Sequence, residues 1–526
     1  MTITMVEGRR RGRAVPAPRP LAVVVALATS MLAPASRAEW KFTPLMELRE
    51  TYTDNVTLLP KEQAESQFVT ELVPGFTLEN HGPRLQFRSS YNKHLFKYSN
   101  QDVAGTRGSA QQLQADARAK LIGELLFLDA SASISQQAAS LFGQQQNSQF
   151  GNGFATANSN EVKTYRISPY LQHRFGTQAE LDLRYARDRV SSDNSALGTS
   201  SSDNLTLNLN SGAAYRLLGW GVFYNRQNVS DNIAQDSGTQ ALSVSLRYIY
   251  SPALTLSVNG GYDKNDYQSQ GGVTQGKSWS TGLNWQPGPR TSLQLNVGKR
   301  YYGDSYLLAA SHRSRATVWS INYSDAVTST RSQFLLPSTI DTFGTLDRLF
   351  SANIPDAAVR RQVVDAYILA NGLPPSLANS INYLSNRYML QKQFQASVAL
   401  NSARSTLILA LVDSRRTALS SQQVDNALLG SSNSNLNDNT RQSAANASLN
   451  WRWSARTSVN LVGSYSSTKS ESASRSDKNK ALRLTMSREF QARLRGSVEL
   501  RRVRGAAVDG KSYTENAVAA SLSKQF

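Results

Sequence analysis

The chain contains no cysteine and only four histidines among its 526 residues. Without cysteine there is no disulfide framework and no thiolate metal site, and such a chain suits passage through an oxidising compartment. His81, His94, His173 and His312 are scattered without ligand spacing, so no metal centre is expected. No G-x-S-x-G elbow and no phosphate-binding P-loop occurs, and Gly151-Asn152-Gly153 lies in a polar stretch. No catalytic residue and no cofactor is therefore expected. Beyond the N-terminus the chain lacks any run of about eighteen apolar residues, which excludes helical membrane spans. Apolar residues make up 40% of the chain and mean hydropathy is −0.41.

What the chain has instead is alternation. Leu242, Val244, Leu246, Tyr248 and Tyr250 sit two apart; Ser251-Pro252-Ala253 follows; Leu254, Leu256, Val258, Gly260 and Tyr262 then resume the pattern. A period of two gathers these side chains on one face of a sheet and leaves Ser, Thr, Asn and Arg on the other. The unit recurs, with a shared turn grammar in SPALTLSV (251–258), GPRTSLQLNV (288–297), SARSTLIL (402–409) and SARTSVNLV (454–462). Other tight turns are expected at His81-Gly82-Pro83, Gly123, Gly176-Thr177-Gln178 and Leu218-Gly219, the last ending a strand that runs through Ala213, Tyr215 and Leu217. Residues 135–160 read as a polar loop.

About eleven such hairpins predict an all-β chain, an antiparallel up-and-down transmembrane barrel of about 22 strands, with an even number between 18 and 22. Only alternate residues then face lipid, which reconciles a membrane protein with low hydropathy. Short turns belong on the periplasmic side and long loops outside. Aromatic residues such as Tyr165, Phe175, Trp220, Trp285, Trp451 and Trp453 stand at strand ends, where rings form interfacial girdles. The terminal strand carries the alternation of an outer-membrane assembly signal, Val518, Ala520, Leu522 and a final Phe526. Lys524 departs from that pattern, and a lysine near the interface can snorkel. Lipid, lipopolysaccharide and the barrel-assembly machinery follow as partners.

The N-terminus reads as a signal peptide over 1–38, with Arg9, Arg10, Arg11 and Arg13, an apolar stretch from Leu21 to Ala33, and cleavage after Ala38. The barrel then occupies 39–526, and its first strand starts so early that no N-terminal plug domain is expected. The formal charge is +19, of which +5 leaves with the signal. The charge reads either as solvated loops and lumen wall or as attraction to anionic solutes or lipopolysaccharide phosphates, and its dispersion argues against nucleic acid.

Residues 330–386 break the alternation. Ile354-Pro355-Asp356 opens a helical stretch through Val359, Val363, Ala366, Tyr367 and Ala370, with Gly372 as its stop and Pro374-Pro375 beyond. A second short helix is expected from Ser376 to about Leu384. By strand parity this insertion leaves the extracellular side, where it either caps the mouth or folds into the lumen as a plug.

The parity opposite to the lipid face should line the lumen. It holds Arg84, Arg88, Arg118, Arg166, Arg174, Arg184, Arg247, Arg300, Arg452, Arg483, Arg495 and Arg501, with Glu47, Asp116, Glu180, Asp182, Glu489 and Glu499 among the acids. Two readings of that wall stand together: ladders of opposite charge that brace the barrel, and an arginine surplus whose field favours anions such as acidic polysaccharide.

LRETYTDNVTL (48–58), ISPYLQHRFG (167–176), RSQFLLPSTID (331–341) and ALLGSSN (427–433) resemble the PEP-CTERM system-associated outer-membrane proteins, a β-barrel porin family, over essentially 39–526. That resemblance implies an outer-membrane, porin-like channel tied to exopolysaccharide export or assembly beside an exosortase system. The alternative is a non-conducting surface barrel acting as a receptor or as a structural or adhesive envelope protein. Neither is an enzyme, and no strand declares an oligomer interface.

Overall fold

The computed structural model describes residues 40–526 apart from 101–102, 145–152, 157, 194–197, 234, 268, 270–271, 336–341, 351–359, 361–363, 365–386, 421–433 and 508. The signal peptide with Ala38, and most of the expected 354–384 helices, lie outside the described residues.

Among the described residues there are 22 strands. The first run is β1 (Trp40–Thr53), β2 (Gln67–His81), β3 (Leu85–Tyr98), β4 (Ser109–Ile122), β5 (Leu126–Ala138), β6 (Ser159–Phe175), β7 (Ala179–Ser192) and β8 (Thr199–Ser211). Next come β9 (Leu218–Asp231), β10 (Ser237–Ser251), β11 (Leu254–Asp266), β12 (Gln275–Gly288), β13 (Thr291–Arg300), β14 (Gly303–Arg313) and β15 (Thr317–Ser329). Two helices follow, α1 (Thr330–Leu335) and α2 (Thr342–Phe350). The rest are β16 (Tyr388–Asn401), β17 (Ser405–Ala418), β18 (Asn439–Arg452), β19 (Thr457–Ser470), β20 (Ser476–Gln491), β21 (Leu494–Ala506) and β22 (Ser512–Gln525).

Each strand pairs antiparallel with the next, and β22 returns to β1 through nine partners, Leu45↔Gln525 to Thr53↔Ala517. The sheet is a closed up-and-down barrel, which leaves no unpaired edge. The Phe526 N–H donates to the Pro44 carbonyl at 3.0 Å just past that seam. Turns at one end are tight. Gly123 (φ +46) and Gly176 (φ +58) supply the left-handed residue in two of them. The opposite end carries most of the longer connections, although β13 and β14 there are joined by Tyr301-Tyr302 alone.

The alternation becomes an exterior and an interior. Leu242, Val244, Leu246, Tyr248 and Tyr250 are all exposed on the outer face, while Ser243, Ser245 and Arg247 between them are half-buried. Leu461, Leu484 and Leu500 align across β19, β20 and β21 near mid-strand and continue the apolar band. Substituting Leu484→Arg there should cost about 2–4 kcal/mol, whereas Ser467→Arg near the strand end should cost no more than about 1 kcal/mol. Guanidinium unfolding of the barrel refolded in vesicles measures both.

One turn differs from the sequence reading. β8 stops at Ser211, and the connection to β9 runs through 212–217 rather than turning at Leu218-Gly219. Gly212 packs so closely on the neighbouring turn that a Cβ there would lie 2.4 Å from the Thr177 carbonyl oxygen. The chain leaves the sheet at that point, and Tyr215 and Leu217 become exposed apolar residues of the turn.

Candidate functional site in the barrel lumen

Parity and burial put Arg88, Arg118, Arg166, Arg174, Arg184, Arg247, Arg300, Arg452, Arg483, Arg495 and Arg501 on the inner wall, and Arg84 in the turn between β2 and β3. Several are tied to acids on neighbouring strands. Asp129 on β5 accepts from Arg118 Nε and from Arg184 Nη1, both at 3.0 Å. Arg184 also lies 4.0 Å over the ring of Tyr170, which stacks on Phe127. Arg300 grips Asp263 through two bonds of 2.9 and 2.7 Å, a bidentate geometry suited to carboxylates. Arg88 stands 3.7 Å from Glu79, and Arg174 3.2 Å from Glu180. Arg452 donates to the Ala403 carbonyl.

The densest of these contacts straddles the seam. Glu499 on β21 faces Arg49 of β1 at 2.9 Å, Arg501 at 3.3 Å and Arg483 of β20 at 4.0 Å. Arg501 Nη2 reaches Glu515 of β22 at 2.7 Å, and Thr53 Oγ1 donates to the same carboxylate oxygen at 3.0 Å. Arg501 and Glu515 are fully buried. Charges so enclosed are stable only when paired, and the chain brings four strands together to pair them.

The lumen is also occupied by the protein's own chain. Leu346, Leu349 and Phe350 of α2 are 0%, 4% and 9% exposed. They pack on Val318, Ala399, Ile408, Ala410 and Val412, the inward-facing residues of β15, β16 and β17 whose neighbours Trp319, Leu409 and Leu411 are exposed on the outer face. Val364 joins the same cluster. This patch of inner wall is apolar where most of the wall is polar, so it gives an amphipathic helix a face to bury. Arg360 holds the neighbouring segment through Asp347 at 2.8 Å.

Two further segments cross the mouth. Arg331, on α1 at the end of β15, pairs with Asp188 on β7 and donates to Ser200 Oγ on β8 at 2.8 Å. Those strands lie a third of the way around the ring from β15, so the contact is a chord across the lumen. The loop between β5 and β6 reaches equally far. Leu141 and Phe142 pack on Met389 of β16, the Gly143 N–H donates to Asp477 of β20, and Ala155 joins Leu58, Val503 and Tyr513. Arg475 lies over the Phe142 ring at 5.3 Å. Tyr267, beyond β11, stacks on Tyr388 of β16, and burial pushes the Tyr267 and Tyr301 phenols up.

A cavity of about 520 Å³ remains on the wall of β9–β13 near the tight-turn end. Arg216, Arg247, Tyr215, Asn284, Gln294 and Asn296 are among its lining residues, and among the described residues no carboxylate lines it. Among the described residues, the hydrogen-bond partner of Arg247 is the Ser211 hydroxyl, at 3.2 Å.

Sequence reading missed Tyr170, Tyr267 and Tyr388 as aromatic residues that the lumen and its mouth bring together with other rings. Parity alone would have found Tyr170, which shares its face with Arg166 and Arg174. It missed α2 as well, although Leu346, Leu349 and Phe350 carry the three- and four-residue spacing of a helix face.

Neither a protein-family model nor a characterised protein matches the chain. Solved structures do. The FrpB iron transporter from Neisseria meningitidis aligns with a TM-score of 0.50 and 10% identity. The alignment covers 95% of this chain and 83% of that one for the F3-3 variant, and 95% and 84% for the F5-1 variant. The siderophore receptor PirA from Pseudomonas aeruginosa aligns with a TM-score of 0.45 and 11% identity, over 94% of this chain and 81% of that one. At such identities the likeness to FrpB is one of fold. A closed ring of 22 strands, apolar outside and charged within, completes the assignment: the chain is a β-barrel of the bacterial outer membrane.

Proposed function

We propose that the protein is a surface receptor of the outer membrane, closed at rest by its own insertion and mouth loops, that takes an anionic polysaccharide. The observation that carries this reading is the burial of Leu346, Leu349 and Phe350 against the inner wall of β15–β17. A helix seated on that wall takes up lumen that an open channel would leave to water. The chord from Arg331 to Asp188 and the loop packed on Met389 support the same closure.

The ligand class rests on charge and on the stretches quoted above. Arg166 and Arg247 have no carboxylate partner among the described residues, and the cavity at Arg216 and Arg247 offers two guanidinium groups with amides and hydroxyls around them. That combination suits a uronate-type sugar, which presents carboxylate and hydroxyl groups together. The resemblance to exosortase-associated barrels favours an exopolysaccharide as its source. The likeness to FrpB brings a fold to this reading and no cargo.

The test uses the whole protein in proteoliposomes and in planar bilayers. Alginate should be retained, more weakly as salt rises, while neutral dextran of the same length is not. The bilayer should stay near its baseline conductance. Steady open steps from the intact protein, or equal retention of alginate and dextran, would overturn the reading.

A further inference from the structure

Outward-facing charge is not spread evenly over the barrel. On β18 to β21 it gathers at the strand ends opposite the tight-turn end: Arg441, Lys469, Lys478, Lys480, Arg502 and Arg504. All six share the parity of the lipid-facing Leu449, Leu461, Leu482, Leu484, Val498 and Leu500. Register makes them a cluster. Arg441 lies directly opposite Lys469, Lys480 lies directly opposite Arg504, and Arg502 pairs with Leu482, two residues from Lys480. Like charges placed opposite each other destabilise a sheet. Arg441 is relieved by Asp413 at 3.2 Å. Lys469, Lys478, Lys480, Arg502 and Arg504 have no carboxylate partner among the described residues.

Depth places the cluster in the membrane's outer interface. Lys480 and Phe490 flank the apolar residues Leu482, Leu484 and Met486 on the outward face of β20 and stand ten residues apart, as do Arg441 and Trp451 on β18. Ten residues rise about 33 Å along a strand. At a tilt near 45° that is roughly 23 Å along the membrane normal, close to the height of a barrel's apolar band. On these two strands Trp451 and Phe490 therefore stand at one interface and Arg441 and Lys480 at the other, with Arg488 beside Phe490. Directly below the cations lie Tyr465, Leu482, Leu484 and Leu500, all exposed, and the Tyr465 ring sits 5.8 Å from the Lys480 ammonium.

We infer that this face of β18–β21 is a binding site for a phosphorylated glycolipid of the outer leaflet, the lipid A portion of lipopolysaccharide. Its phosphates neutralise Lys469, Lys480 and Arg504, and its acyl chains cover the leucine rows beneath. A soluble anion would find the cations but not the apolar surface. A neutral lipid would find the apolar surface and leave the facing cations uncompensated. The inference is independent of what the lumen takes.

The intact protein in detergent, titrated with bisphosphorylated lipid A and followed by native mass spectrometry, tests it. Wild type should bind this lipid at least ten-fold more tightly than its dephosphorylated form. The variant Lys469→Gln, Lys480→Gln, Arg502→Gln, Arg504→Gln should lose at least ten-fold in affinity for the phosphorylated lipid and nothing for the dephosphorylated one. Gel mobility before and after heating reports that the barrel is folded. A second variant, Lys264→Gln and Lys277→Gln, removes outward cations on β11 and β12 and should bind like wild type. Equal binding by the four-fold variant and wild type would mean that the cations are a solvated rim. Equal binding of both lipid forms to wild type would mean that acyl chains alone are recognised. Inorganic phosphate or alginate displacing lipid A at comparable concentration would make the site one for soluble anions. Each of these three results sinks the inference.

Discussion

Leu346→Asp and Leu349→Asp, made together, are expected to turn a silent barrel into a conducting one. Fully burying a leucine or phenylalanine side chain stabilises by about 1.5–3 kcal/mol, so the three buried residues of α2 hold it on the wall with something on the order of 5–8 kcal/mol. Two carboxylates remove most of that and add the cost of burying charge without a partner. Moving a two-state equilibrium from 1:99 to 99:1 takes about 5.5 kcal/mol, which is within reach of the pair. Single-channel recordings should change from rare openings to steady steps that prefer anions. Deleting residues 335–385 sets the upper limit of the conductance. Ile408→Asp, which alters the seat rather than the helix, should act in the same direction. Silence in all three, with heat-modifiable mobility on a gel showing a folded barrel, would assign closure to the β5–β6 loop and remove α2 from the mechanism.

The second large effect lies at the seam. Glu499→Ala removes the carboxylate shared by Arg49, Arg483 and Arg501, while Glu515 stays with Arg501 and Glu47 and Glu71 stay near Arg49. Breaking a buried charge set by removing one partner typically costs about 3–5 kcal/mol. The exposed pair Arg174–Glu180 offers the contrast, and Glu180→Ala should cost no more than about 1 kcal/mol. Chemical unfolding in vesicles reads both. Near-equal losses would mean that water reaches Glu499 and that the seam is not held by these charges.

Much of the barrel is legible in sequence because its solvent changes from one side chain to the next. Lipid outside and a polar lumen inside impose a period of two that Leu242 to Tyr262 display without help from tertiary context. Strand number and closure follow from repeating that unit. The site is less legible, and the reason is distance. Nothing near Arg331 announces Asp188, 143 positions away, and nothing near Phe142 announces Met389. Such partners are fixed only when the ring closes and sets opposite walls face to face. The 212–217 turn was missed for a smaller reason: Tyr215 and Leu217 keep strand parity while the backbone has already left the sheet. The cations of β18–β21 were visible as residues, but as a dispersed charge. Their clustering needs register, which pairs Lys480 with Arg504 across 24 positions of chain.

The seam also sets an order of events. β1 is the first strand made and β22 the last, and their nine paired positions join residues more than 460 apart. Until the last fourteen-residue strand is available, every shorter sheet has two bare edges, each a template for pairing with another chain. Closure of so long a loop also carries the largest entropic cost of any strand pair in the molecule. The protein therefore passes its whole transit, from ribosome to membrane, in a form that invites aggregation, and becomes safe in a single late step. A truncation that removes β22 would yield not a slightly smaller barrel but an open, adhesive sheet.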